Sequence, residues 1–158
     1  MPPATIVNLS EFDLDRVEYG IEEIRRVNPH RHEFELLSEI IAYRPEQGLI
    51  VGAIRTSDGD FWVRGHIPGR PLFPGVLMVE AAAQLCSFYW RTNFPSIDKF
   101  FGFGGIDETN FRGTVHPGDR VILAGKSVQV KPRRAIFACQ GFVGGTMVFD
   151  TQIRGLIV

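Results

Sequence analysis

The sequence predicts an α+β fold in which a curved antiparallel sheet wraps around one long helix. Three observations predict it: a breaker-free apolar stretch that follows Pro74, a β texture from residue 100 onward, and short Pro/Gly turns that make neighbouring strands antiparallel.

At 158 residues, 44% hydrophobic and 22% charged, the chain has the length and balance of one globular domain with a sizeable core. A single domain over 1–158 is expected, with residues 1–28 as an N-terminal extension containing a short helix. Within it, residues 13–27 place Leu14, Val17, Ile21, Ile24 and Val27 near helical spacing, and Asn28-Pro29 ends the helix. Strand-like runs follow over 35–44 and 48–56, separated by the turn Pro45-Glu46-Gln47-Gly48. Residues 66–73, HIPGRPLF, hold two prolines and a glycine, which neither helix nor central strand tolerates. Pro74 suits a first helical turn because its missing N–H would have no intrahelical partner there. GVLMVEAAAQLCSFYWR, residues 75–91, continues as a helix, apolar around nearly its whole circumference and therefore enclosed by other elements. Four β segments follow at 100–108, 119–131, 134–143 and 146–158. In the last, Met147, Phe149, Thr151 and Ile153 alternate with Asp150, Gln152 and Arg154, the pattern of one buried and one wet face.

The balance of 17 basic and 18 acidic residues leaves no overall field to attract nucleic acid or anionic membrane. Phe100, Phe101, Phe103 and Phe111 lack an interleaved basic stripe and suit core or tunnel lining better than base stacking. No run approaches the roughly 18 consecutive apolar residues of a spanning helix, and the N-terminus lacks the pattern of a secretory signal. Cys86 and Cys139 lie in apolar stretches without ligand spacing, which suggests neither a disulfide framework nor zinc and fits a reducing cytoplasm. His30 and His32 have i, i+2 spacing but no third ligand, and His116 falls in a turn, so no metal is expected.

Glu80, Gln84 and Ser87 recur at i, i+4 and i+7, a narrow polar stripe on an apolar helix. Periodicity alone favours a thin solvent-facing edge, because single polar stripes are common on amphipathic helices. Such an edge normally carries several charges, however, whereas Glu80 is followed by Ala81, Ala82 and Ala83. The alternative is a low-dielectric site in which burial raises its pKa and keeps it protonated as a general acid. His66 opens the rigid segment before the helix, and a neutral imidazole there can take a carbon-bound proton while a carboxylic acid protonates a departing hydroxyl. The backbone N–H groups of Gly75 and Val76 begin the helix without intrahelical acceptors and suit a thioester oxygen that gains negative charge.

HIPGRPLFPGVLMVEAAAQL, residues 66–85, resembles the signature of the 3-hydroxyacyl-(acyl-carrier-protein) dehydratases, in which a histidine opens an H-F-P-G-x-P segment and a glutamate follows P-G-V-L. The similarity extends to PHR at 29–31, GIDETNFRGTVHPGD at 105–119 and KPRRAIFACQGFV at 131–143. The resemblance implies a hot-dog fold and dehydration of a (3R)-3-hydroxyacyl group to the trans-2-enoyl thioester in fatty acid biosynthesis. It implies acyl carrier protein as partner and neither cofactor nor metal. His66 is then the general base, Glu80 the acid, Gly75 an oxyanion donor, and Gln84 the residue that orients Glu80. It further implies a homodimer whose two sites each join the histidine of one chain to the glutamate of the other, often assembled into a hexamer. A sister group that also isomerises the double bond has aspartate at the glutamate position, so Glu80 favours simple dehydration.

This chain departs from the family pattern with Ile67 after the histidine, where Phe is usual, and Phe73, where Met is typical; both are expected to line the acyl tunnel. Ser38 stands where family members often carry aspartate, and His32 and Glu33 are atypical nearby. Lys131, Arg133 and Arg134 form a basic hairpin cluster that is either solvated charge or a docking point for the acidic carrier protein. The competing readings are an acyl-coenzyme A hydratase or thioesterase on the same fold, or a non-catalytic acyl-binding paralogue.

Overall fold

The structure, a computed structural model, describes residues 1–158. Two α-helices, α1 (Ile21–Val27) and α2 (Gly75–Asn93), accompany six strands: β1 (Glu39–Arg44), β2 (Leu49–Arg55), β3 (Phe101–Phe111), β4 (Arg120–Lys131), β5 (Arg134–Val143) and β6 (Thr146–Ile157). They form one antiparallel sheet in the order β1-β2-β4-β5-β6-β3, leaving β1 and β3 as its edges.

Helix α2 begins where Pro74 predicts and runs 19 residues, about 28 Å at 1.5 Å per residue. Pro95 bars its continuation beyond Phe94, whose N–H closes the last turn on Trp90 O at 2.9 Å. The sheet curls around it because the strands carry glycine where the helix comes closest. A Cβ on Gly52 would lie 2.8 Å from both Leu85 Cδ1 and Glu39 O, and one on Gly125 would lie 3.5 Å from Leu85 Cδ2. Leu85 thus sits over two side-chain-free positions of adjacent strands. At the far end of the helix Trp90 stacks on Phe101 with centroids 4.3 Å apart, and its indole N–H donates to Lys131 O at 2.9 Å. Phe88, Phe137, Phe149 and Ile153 complete this inner core.

The N-terminal segment differs from the expected helix over 13–27. Only Ile21–Val27 is helical, started by Gly20, whose N–H donates to the Glu23 carboxylate at 2.9 Å. Residues before it cross the outer face of the sheet, where Ile6, Val7, Leu9, Phe12 and Leu14 cover a second cluster built on Ile41, Val51, Ile122 and Phe142. Gln140 ties the crossing down, accepting from Ile6 N at 2.9 Å and donating to Ala4 O at 3.0 Å, and Arg120 donates to Leu14 O at 2.6 Å. Leu14 and Ile24 therefore serve opposite faces of the sheet, which a single helix could not achieve.

β1 is also shorter than the expected run, because the N–H groups of Leu36 and Leu37 turn away to a helix side chain. On β6, Phe149, Thr151 and Ile153 are buried as expected, but Met147 packs on the outer cluster. An irregularity in the pairing of Gly141 and Phe142 with β6 changes the facing there.

Gly52→Ala should lower the unfolding free energy by about 1–3 kcal/mol, because neither Glu39 O nor Leu85 can yield freely. Urea denaturation followed by tryptophan fluorescence measures it; an unchanged midpoint would show that helix and sheet are not in tight contact there.

Candidate active site

Glu80 lies on the second turn of α2 with about a fifth of its side chain exposed (21%), so it is half-buried rather than enclosed in the low-dielectric site that its alanine neighbours suggested. Its Oε1 accepts from Gln84 Nε2 at 3.0 Å. Gln84 is itself fixed by the loop before β1: its Oε1 accepts from Leu36 N and Leu37 N at 3.3 and 3.2 Å, and its Nε2 also donates to Phe34 O at 2.7 Å. The two backbone donors settle which end of the amide is oxygen, so the second N–H must point at Glu80. No protein donor reaches Glu80 Oε2 by a hydrogen bond.

His66 is held in a different way. Its N–H donates to Trp62 O and its C=O accepts from Leu72 N, both at 2.8 Å, while Ile67 and Arg70 exchange bonds across a turn in which Gly69 takes φ 77°. The ring Nδ1 lies 2.7 Å from Leu72 O. A carbonyl can only accept, so Nδ1 carries a hydrogen, and Nε2 is left without a protein partner. Within one chain, no hydrogen bond or ion pair joins His66 to Glu80, and the cavities that Glu80 lines do not include His66.

The start of α2 is anchored by Phe73 N, which donates to Val115 O at 2.8 Å, and the first intrahelical bond runs from Leu77 N to Pro74 O. The amides of Gly75 and Val76 precede it and have no acceptor in the helix. The Phe111 ring lies against Gly75, where a Cβ would come within 2.8 Å of Cε1; a side chain there would displace the ring.

Beside Glu80 a cavity of about 200 Å³ runs along the inner face of α2 between Ala83, Cys86, Phe101, Phe137 and Ile153. Burial pushes the Cys86 thiol pKa well up, so it stands on this wall as an inert neutral group; Cys139 lies behind it, the two free thiols sharing an S–H···S hydrogen bond at 3.5 Å. Phe100, Phe101 and Phe103 line the cavity as the sequence suggested. Ile67 and Phe73 do not. Ile67 is half exposed (52%), and Phe73 packs on Trp62 in a separate cleft of about 520 Å³ that also holds Ser38, His32 and Glu33. Lys131, Arg133 and Arg134 are exposed on the β4–β5 hairpin, next to Trp90, ten residues or about 15 Å along α2 from Glu80.

One residue at this site was not assigned a role from spacing. His30 reaches within 3.5 Å of Glu80 Oε1 and lines the same cavity, while His32 is exposed and points elsewhere. Only its place in the PHR triplet marked it in the sequence.

A six-stranded antiparallel sheet wrapped on a buried central helix is the hot-dog fold. Two solved structures share the fold: the dehydratase heterocomplex ApeI:P of Xenorhabdus doucetiae, at TM-score 0.73 and 14% identity over 85% of this chain and 90% of that one, and a mutant thioesterase of Pseudomonas aeruginosa, at TM-score 0.64 and 13% identity over 90% and 96%. Residues 28–152 match the FabA-like domain. The chain is 32% identical over 140 residues to the 3-hydroxyacyl-(acyl-carrier-protein) dehydratase FabZ of Ehrlichia chaffeensis, covering 89% of this chain and 96% of the relative. It is 32% identical over 142 residues to the FabZ of Campylobacter jejuni, covering 87% and 97%. The chain belongs to the FabA-like 3-hydroxyacyl-(acyl-carrier-protein) dehydratase family.

Gln84→Leu leaves the buried Leu37 N–H without a partner and strips one of two hydrogen bonds from Leu36 N and Phe34 O, which keep each other at 2.9 Å, so it should lower the unfolding free energy by roughly 1–3 kcal/mol. Chemical denaturation measures it, and a loss below about 1 kcal/mol would mean that the loop relaxes onto other partners.

Proposed function

We propose that this chain dehydrates a (3R)-3-hydroxyacyl thioester carried on acyl carrier protein to the trans-2-enoyl thioester, with His66 as base and Glu80 as acid. Membership of the dehydratase family supports the reaction, in the setting of fatty acid biosynthesis. The observation that carries the assignment of residues is that each titratable group has one heteroatom committed to the scaffold and one free. His66 Nδ1 is taken by Leu72 and Glu80 Oε1 by Gln84, leaving Nε2 to accept a proton and Oε2 to give one.

His66 Nε2 takes the proton from C2, and the C2–H electron pair moves toward the thioester carbonyl. The amides of Gly75 and Val76 stabilise the charge that develops on that oxygen. Glu80 Oε2 protonates the 3-hydroxyl, the C3–O bond breaks, water leaves, and the C2=C3 double bond forms. Proton exchange with solvent resets both side chains. The acyl tail occupies the apolar cavity along α2.

Within one chain no hydrogen bond or ion pair links His66 to Glu80, and the family resemblance implies a two-fold homodimer that completes each site from two copies. The open edge strand β3 supports it, carrying exposed Phe103, Ile106 and Phe111 that a second copy would cover. Further assembly into a hexamer and carrier docking at Lys131, Arg133 and Arg134 belong to the same reading.

Incubated with carrier-linked 3-hydroxyacyl substrate, the protein should yield enoyl thioester by mass spectrometry, and free acid in its place would indicate a thioesterase. Glu80→Gln should lower kcat at least about 100-fold while the protein remains folded, since an amide cannot supply the proton. A folded Glu80→Gln protein with near-normal turnover would remove Glu80 as the acid.

A further inference from the structure

We infer that His30 is a positioning residue for Glu80, holding with Gln84 the carboxyl oxygen Oε1 so that the transferable proton stands on Oε2. The inference rests on the dehydratase reading and assigns a further residue to its acid half.

Three observations converge. His30 Nε2 is 3.5 Å from Glu80 Oε1, the same oxygen that accepts from Gln84. The two side chains share the cavity along α2, so His30 stands on the wall of the acyl cavity and not on the outer surface. The other ring nitrogen, Nδ1, is buried without a partner. A buried N–H without an acceptor is rarer than an under-satisfied acceptor, so the hydrogen belongs on Nε2, facing Glu80.

The backbone around His30 is built to hold this position. Arg31 donates to Asn28 O at 2.9 Å, His30 O at 2.6 Å and Arg25 O at 2.9 Å, clamping the chain on both sides of Pro29. Asn28 Nδ2 donates to Gln84 O at 2.9 Å, which ties the same loop to the helix turn that orients Glu80. The charged groups that act on the imidazole are Glu80, Arg91 and Arg31. Burial lowers its pKa, Glu80 opposes this, and the two arginines reinforce it, so the ring stays neutral.

A neutral ring suits the acid step better than a charged one. An imidazolium at this distance would hold Glu80 as a carboxylate and remove the proton that it must deliver. A neutral N–H exerts only a dipole on Oε1, at a separation longer than an ordinary hydrogen bond. That attraction strengthens as Oε2 releases its proton to the leaving hydroxyl and the carboxyl becomes negative. Two donors on Oε1 thus make Oε2 the proton-bearing oxygen beforehand and stabilise the carboxylate afterwards.

The test compares His30→Phe, which keeps ring volume without the donor, with His30→Gln, whose amide N–H reaches the Nε2 position. On carrier-linked 3-hydroxyacyl substrate, His30→Phe should lower kcat roughly tenfold or more with KM within about twofold. His30→Gln should recover most of the loss. In a Glu80→Gln background His30→Phe should cost nothing further, because it acts through the missing acid. If His30→Phe does not fold, His30→Asn, whose amide is too short to reach Glu80, takes its place with the same expected loss. Wild-type kcat in the folded variant, a loss confined to KM, equal losses in His30→Phe and His30→Gln, or an additive loss beside Glu80→Gln would overturn the inference. Failure of the dehydratase reading is distinguishable, since wild-type protein would then form no enoyl thioester.

Discussion

The side-chain amide of Gln84 is 2% exposed, so each polar group that it presents must find its partner inside the protein. Four hydrogen bonds fill it, three to the loop at residues 34–37 and one to Glu80. The loop gives up strand pairing to make them, which is why β1 starts only at Glu39. The orientation of the carboxyl on the next turn of the helix is a consequence. Asn28, bonded to the backbone of the same residue, brings the loop bearing His30 to the same place. Gln84 therefore ties both ends of the α1–β1 connection to the central helix, its side-chain amide at residues 34–37 and its backbone carbonyl at Asn28, and the geometry around Glu80 depends on it.

The same device serves His66. There a backbone carbonyl, that of Leu72, takes Nδ1 and sets the tautomer, while turn bonds from Trp62 and between Ile67 and Arg70 hold the segment. Both titratable groups present a single free atom because the scaffold has satisfied the other. An arrangement of this kind fixes which atom of each group is free, the geometry that the proposed proton transfers require.

Much of this was legible in the sequence, for physical reasons that differ by region. Pro74 marked the helix start because proline lacks the N–H that a first turn cannot use, and the alternation of Phe149, Thr151 and Ile153 followed from a strand between core and solvent. The extension misled because Leu14 and Ile24 fall at helical spacing yet pack on opposite faces of the sheet. Local periodicity carries no record of which surface a residue meets. The cavity wall shows the same limit: Ile67 and Phe73 lie within the signature in sequence yet do not line it, whereas Phe101 and Phe137 come to it from distant strands. His30 is fifty residues from Glu80 along the chain, and only the fold brings the two within 3.5 Å.

A site made from two copies is the central proposal, and it accounts for the absence of any hydrogen bond or ion pair between His66 and Glu80 within one chain. Co-expressing a His66→Ala chain with a Glu80→Gln chain under two different affinity tags, and isolating dimers that carry both, tests it most directly. A mixed dimer places both lesions in one site and leaves the other intact, so it should turn over at about half the rate of the wild-type dimer, while each parent variant stays inactive. Doubly tagged dimers that are folded and inactive would contradict the account.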